Sequence, residues 1–236
     1  MGSLISWVAL FQNSQFSRDS DPLSVLSRPP YSPMSTDTEL ELERLLQARN
    51  QHPDRAAEID AQIRARFMET HAILVLDSSG FSRLSQEQGI IAALAEIERM
   101  RGVVAPIVEA HQGSPFKLEA DNVYAVFPSV ERAIAASREM MRQLATIDKH
   151  VSIGIGYGDL IMISDGACYH DVYGEEMNLA SKLGEDLAKT DEVLLTEAAF
   201  QQLRAERPTA PPPAPSPTTM TISNLTIQVY RLTPNP

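Results

Sequence analysis

The run Ala72-Ile-Leu-Val-Leu76 stops abruptly on a carboxylate, Asp77, and Ser78-Ser79-Gly80 then leads into a helical pattern. Such a run is too short for a helix, and its unbroken apolar character asks for cover on both faces, so it reads as a buried strand with a charge at its end. The elements that follow narrow the fold further. Helical spacing runs through Ile90, Ile91, Leu94, Ile97 and Val104 and should end before Gly113. Phe116 to Glu119 and Val123 to Phe127 read as strands joined by Ala120-Asp121-Asn122, which contains turn formers suited to a hairpin. Ile134 to Leu144 is a further helix, and Val151 to Tyr157 a strand whose glycines allow a backbone or ligand to come close.

The order βαββαβ is the ferredoxin-like arrangement, an antiparallel-dominated sheet with helices on one face. Beyond it the pattern predicts a strand near Leu160 to Ile163, a helix from Gly174 to Leu187, a strand at Glu192 to Leu195 and a helix at Glu197 to Leu203. Closing strands at Thr219 to Ile222 and Ile227 to Leu232 follow a Pro-rich surface insertion at 208–217. The expected fold class is therefore α+β, a ferredoxin-like core extended with extra strands and helices over residues 70–234.

Residues 35–69 form a separate helical pattern, a stalk or hairpin. Thr36 or Asp37 can cap it, Leu40, Leu42, Leu45 and Leu46 supply apolar positions, and Pro53 interrupts it. Ile59, Ile63 and Phe67 then make one stripe over Asp54 to Met68. Packing of these helices on their own domain is the simpler expectation, and dimerisation or signal transmission the alternative. Residues 1–34 show no sustained period and read as a disordered tail, with Met34 a candidate true start.

Charge and cysteine usage exclude some partners. Thirty-one acidic against twenty basic residues give a net charge of −11, which repels nucleic-acid backbones and anionic membranes. Leu4 to Phe11 is too short to span a bilayer and no positive charges precede it. A single cysteine, Cys168, provides neither a disulfide framework nor a zinc cluster and fits a reducing compartment, so the cytoplasm is expected.

Two aspartates stand where carboxylates can converge on hard cations, Asp77 at a strand end and Asp121 at a hairpin tip. Taken singly, each reads more simply as a turn former. The loop Ser78-Ser79-Gly80-Phe81 can present N–H groups to a triphosphate at a helix N-terminus. Three tracts in order carry more weight: Asp77-Ser-Ser-Gly80-Phe81, Lys117-Leu-Glu-Ala-Asp121, and Asp171-Val-Tyr-Gly174-Glu-Glu-Met-Asn178-Leu-Ala-Ser-Lys182. Together they resemble the catalytic domain of the class III adenylate and guanylate cyclases, from about His71 to Leu203.

That resemblance implies that Asp77 and Asp121, with the Ser78 carbonyl, hold two ions of Mg²⁺ or Mn²⁺. It implies that Ser79, Gly80 and Phe81 bind substrate, that Lys117 and Asp171 contact the base, and that Asn178 and Lys182 act in catalysis. The site would lie between two subunits, so a homodimer is expected, with the regulatory partner unknown. Given those roles, a lysine donor and an aspartate acceptor match the ring nitrogen and amine of adenine better than the groups of guanine, so ATP is the expected substrate.

Four places depart from the family pattern. Lys182 stands where an arginine is usual, which keeps the charge but not the planar fork. Ser152 stands where many relatives place a phosphate-binding arginine, and Asn224-Leu-Thr226 where a Lys-Gly pair is common. Glu119-Ala120 also replaces Ile-Gly before the second aspartate. Losing one preorganised charge commonly costs about 10²–10³ in rate. The alternative expectation is thus a catalytically weakened nucleotide-binding and dimerisation module. Lys149, His150 and Lys189 are the cations whose directions decide whether the missing contacts are replaced.

Overall fold

A computed structural model describes residues 37–164, 168–207, 217–222 and 225–232. The predicted tail at 1–34, the capping position Thr36 and the Pro-rich run at 208–216 lie outside the described residues.

Two helices come first, α1 (Asp37–Gln51) and, after a 3-10 turn at Pro53–Arg55, α2 (Ala56–Phe67). They fold back on each other, with Arg49 paired to Asp60 and Arg66 to Glu41. Their apolar stripe of Leu42, Ile59, Ile63 and Phe67 is buried against Ile163. Since α2 runs into β1 (Met68–Ser78) with no intervening loop, the hairpin is anchored directly to the strand that carries Asp77.

The remaining elements are α3 (Phe81–Gln88), α4 (Ile90–Ala110), β2 (Ser114–Glu119), β3 (Asn122–Phe127), α5 (Val130–Ala145), β4 (Val151–Ser164) and β5 (Tyr169–Tyr173). They are followed by α6 (Glu175–Ser181), β6 (Val193–Thr196), α7 (Glu197–Glu206), β7 (Thr218–Ile222) and β8 (Leu225–Leu232). The sheet order is β2-β3-β1-β4-β6-β8-β7, with β5 paired to the far half of β4. Its first four strands are the ferredoxin-like set, and β6 lies parallel to β4 while the other pairs are antiparallel.

Alternation along β1 explains its unbroken apolar run. Ala72, Leu74 and Leu76 join Met100, Val104, Val108, Ala133, Met140 and Phe200, packing α4, α5 and α7 on one face. Ile73 and Val75 face the other way, onto Ala180 of α6 and Val172 of β5. Every residue from Ala72 to Leu76 is fully buried. At roughly 25 cal/mol per Å² of apolar surface, this two-sided burial makes β1 the main hydrophobic anchor of the sheet.

Several expectations need correction. Helices cover both faces rather than one, because α6 packs opposite α4, α5 and α7. The long helix after Gly80 is broken at Gly89, whose φ of 86° is left-handed, and this turns Ile90, Ile91 and Leu94 to solvent instead of the core. Val151–Tyr157 and Leu160–Ile163 are not two strands but one, β4, since β1 pairs with it continuously from Val151 to Ile161. Tyr169–Tyr173 forms a strand that periodicity did not reveal. The helix predicted to Leu187 ends at Ser181 and continues as a wide π-type turn, Lys182–Leu187.

Candidate active site

Asp77 lies inside β1, not beyond its end, and pairs across the sheet with Asn122 on one side and Ser152 on the other. The β1–β3 register therefore brings Asp121, the residue just before Asn122, next to Asp77, although the two lie in separate tracts of sequence. Burial first, then the charges of Asp121, Glu185 and Asp186, raise the Asp77 carboxyl from its ordinary 3.8 to about 6. Its side chain makes no hydrogen bond to any described residue. A half-buried carboxylate facing three others and lacking a donor is an electrostatic deficit that a cation would relieve.

The hairpin carrying Asp121 is held from below. Ala120 adopts a φ of 48°, and its carbonyl accepts a hydrogen bond of 2.7 Å from Nη2 of Arg101, which is buried in α4. Burial lowers the guanidinium's pKa, while Glu98 works in the opposite direction. Arg101 is a supporting residue that sequence reasoning missed, because a lone arginine in a helical pattern looks like a solvated charge.

The loop Ser78-Ser79-Gly80-Phe81 follows directly. Ser78 is buried and pairs with Val151. Gly80 has a φ of 101°, which a side chain would disfavour, and α3 begins at Phe81, so the loop amides sit at a helix N-terminus. This loop lines a cleft of about 270 Å³.

The other predicted site residues sit on different elements. Lys117 of β2 pairs with Glu119 at 3.0 Å and lies 5.7 Å from the centre of the Tyr124 ring. Asp171 is on β5, where Oδ1 accepts from its neighbour's N–H at 2.9 Å and the Tyr173 hydroxyl donates to the carboxylate. That bond, aided by burial and nearby carboxylates, pushes Tyr173 up to about 12. Asn178 and Lys182 are exposed, at and just past α6, and Lys182 pairs with Asp186 at 3.0 Å.

Packing forces α6 close to the sheet. A Cβ on Gly154 would collide with the Ala180 carbonyl, and one on Gly184 would lie 2.7 Å from the Val75 carbonyl. The wide turn after Ser181 thus sets Gly184 against β1 and leaves Glu185 and Asp186 within the field of Asp77. Glu185 also accepts a 2.9 Å bond from the Tyr124 hydroxyl. Glu176 anchors the start of the helix, accepting from the Tyr157 N–H at 3.0 Å and the Thr196 hydroxyl at 2.6 Å. Its carboxyl is raised by burial, against the lowering effect of those two bonds. Nothing in the sequence distinguished Glu176 from Glu175 beside it; only the packed helix does.

Solved structures share this architecture. The adenylate/guanylate cyclase/hydrolase from Silicibacter pomeroyi superposes with a TM-score of 0.56 at 20% identity, covering 71% of this chain and 98% of that one. The guanylate cyclase domain of RhGC from Catenaria anguillulae, solved in complex with GTP, gives 0.57 at 14%, covering 70% and 96%. The adenylyl cyclase CyaB from P. aeruginosa gives 0.53 at 17%, covering 70% and 94%. The chain has the class III nucleotidyl cyclase fold. In sequence, a protein of Rhizobium meliloti (strain 1021) named "Putative adenylate cyclase 3" is 28% identical over 138 residues, which is 55% of this chain. The matched stretch is only 22% of that relative's length. No family model matches this chain. Within this fold one carboxylate of the pair, Asp77, stands on the central strand β1 and the other, Asp121, in the turn that leads into its neighbour β3. Among the described residues no helix is long and apolar enough to cross a membrane.

The donor set suits a hard divalent cation. Among the described residues no three His, Cys, Asp or Glu side chains cluster as a complete metal cage. Two carboxylates beside a backbone carbonyl fit Mg²⁺ or Mn²⁺ better than zinc, since Mg²⁺ typically keeps waters and substrate phosphates among its ligands.

Proposed function

We propose that the protein is a cytoplasmic, homodimeric adenylate cyclase that converts ATP to 3′,5′-cyclic AMP and pyrophosphate. The observation that carries this reading is the convergence of Asp77 with Asp121, in the turn before β3, which leaves a half-buried carboxylate that ordinary pairing does not satisfy. Asp77, Asp121 and the Ser78 carbonyl would hold two ions of Mg²⁺ or Mn²⁺, which supply charge neutralisation around the reacting phosphorus.

The chain's own groups do the rest. Amides of Ser79, Gly80 and Phe81 receive the triphosphate. One subunit supplies the aspartates, and across the dimer interface the other supplies Lys117 and Asp171, which read the adenine ring nitrogen and amine, together with Asn178 and Lys182, which orient the ribose and offset developing charge. The exposed placement of Asn178 and Lys182 supports a contribution to a neighbouring subunit rather than to the protomer's own core. In the reaction the ribose 3′-oxygen bonds to the α-phosphorus, the bond from that phosphorus to the bridging oxygen breaks, and the hydroxyl proton leaves to solvent.

The choice of ATP over GTP rests on Lys117 and Asp171, and both cyclase types occur among the structural neighbours. Purified full-length protein with Mn²⁺ and either nucleotide tests the proposal. Cyclic AMP formation that exceeds cyclic GMP formation and disappears in Asp121→Ala is expected. No cyclic nucleotide at high enzyme concentration sinks the enzymatic reading. A second reading, a nucleotide-binding module without turnover, is favoured by the Lys182–Asp186 pair, which occupies the cation at the usual arginine position. It predicts that ATP raises the melting temperature with no product.

A further inference from the structure

A hollow of about 540 Å³ lies between the N-terminal helical hairpin and the β4–β5 pair. Its floor is apolar, formed by Leu42 and Leu46 of α1, Ile63 of α2, and Ile161 and Ile163 of β4. Alternation along β4 puts those last two with Ile153 and Ile155, on the sheet face opposite Ser152 and its partner Asp77. At ~3.3 Å per residue, Ile161 also stands roughly 30 Å along the strand from Ser152. The hollow is therefore separate from Asp77 and Asp121 of its own protomer.

Its walls are fixed without a ligand. The Arg49–Asp60 and Arg66–Glu41 pairs join α1 to α2. The Thr38 hydroxyl donates to the Ser164 carbonyl, which ties the start of α1 to the end of β4. Leu46 and Tyr173, at the rim, stay 44% and 54% exposed, so the hairpin leaves an aliphatic and an aromatic surface uncovered. A preformed hollow of this size, mostly apolar with a few polar groups at one end, suits a small organic molecule.

The polar lining sets the charge of that molecule. Asp171 pairs with Ile163 and Tyr173 with Ile161, so both face the hairpin, where Glu39 and Glu43 of α1 also line the hollow. The Tyr173 hydroxyl donates to Asp171 and lies within the field of Glu39 and Glu43, which places three carboxylates about one end. No lysine or arginine is among the described residues that line the hollow, whose remaining polar group is His170. A polyanion such as a nucleotide is repelled from that end and a cation is drawn to it, with the Tyr173 ring as a further contact.

We infer that this hollow binds a small organic cation, an amine or quaternary ammonium on an apolar body. Its charge sits among Glu39, Glu43 and Asp171, and its hydrocarbon lies against Leu42, Leu46 and Ile163. Since α1 supplies one wall and β5 the other, the bound molecule ties the hairpin to β5. The site needs no nucleotide chemistry and stands independently of the cyclase reading.

Phenylbutylamine, phenylbutanol and phenylbutyrate carry one apolar body with a positive, neutral or negative head. Titrated calorimetrically into the full chain at pH 8, the amine should bind about tenfold more tightly than the alcohol, and the carboxylate more weakly than either. Glu43→Gln should bring the amine down to the alcohol and leave the alcohol within about twofold, whereas Glu87→Gln, on α3 outside the hollow, should change neither beyond about twofold. Leu46→Trp, at a position already partly in water, fills the hollow and should abolish binding of all the probes without lowering the melting temperature. Equal affinity of amine and alcohol overturns the assigned charge, and wild-type binding retained in Leu46→Trp overturns the location. Failure of every probe to bind at millimolar concentration overturns the site itself. Amine affinity that falls as protein concentration rises shows a second copy covering the hollow, and displacement of the amine by ATP shows a nucleotide seated there; either result overturns the proposal. The cyclase reading is decided separately, by product formation in the assay above.

Discussion

Asp77→Asn should make the metal-free protein more stable at pH 8 while removing its activity. The raised carboxyl means that the folded state resists ionisation where the unfolded chain does not. A shift from 3.8 to about 6 corresponds to about 3 kcal/mol at ~1.4 kcal/mol per tenfold change. Asp77 is only half buried, so water screening reduces the realistic penalty to ~1–2 kcal/mol. The sign follows from linkage: folding disfavours the charged form, so the penalty is full above about pH 6, shrinks as pH falls from 6 towards 3.8, and is absent below that range. An asparagine keeps the shape without the charge. For a protein of this size ~1–2 kcal/mol is about 2–8 °C in melting temperature. Melting in EDTA at pH 8 and pH 5 should therefore show Asp77→Asn above wild type at pH 8, with the gap narrowed at pH 5. Excess Mn²⁺ should raise wild type more than the variant. A variant that melts lower at pH 8, or a gap independent of pH, would refute the reasoning, because the strain attributed to clustered carboxylates would then not exist.

Two other outcomes test the architecture and the chemistry. Gly154→Ala forces a methyl into the Ala180 carbonyl and the Gly184 backbone, which cannot withdraw as a flexible side chain could. It should cost about 2–3 kcal/mol in denaturant unfolding, and a loss under ~0.5 kcal/mol would show that α6 is not packed so tightly on β4. Lys182→Arg restores the forked donor and should raise kcat for ATP about tenfold with little change in KM. Unchanged turnover would indicate that Lys182 does not meet the reacting phosphate.

Local patterning carried much of the architecture. The apolar run at Ala72–Leu76, the amphipathic spacing of Val130–Ala145 and the stripe of Ile59, Ile63 and Phe67 reflect burial of neighbouring residues, and that burial leaves a period in the chain. Where structure departed from expectation, a distant partner was responsible. β4 runs on past Tyr157 because β1 pairs with it as far as Ile161 and β5 pairs with it from Ile161 to Ser164. Ile90, Ile91 and Leu94 have helical apolar spacing yet face solvent, since a kink at Gly89 rotates the helix.

The candidate site divides in the same way. The candidate residues were legible as ordered tracts: Asp77, Asp121, Lys117, Asp171, Asn178 and Lys182 stand in the order and spacing that resemble the cyclase pattern. Whether they meet was not. Asp77 reaches Asp121 through strand register, Arg101 secures the hairpin through a carbonyl nineteen positions away, and Glu176 is tied to Tyr157 and Thr196 across two strands. Residue type sets charge and donor capacity along the chain. Register and packing set distance and burial, and those two quantities bring a pair of acidic side chains, far apart in sequence, into each other's field.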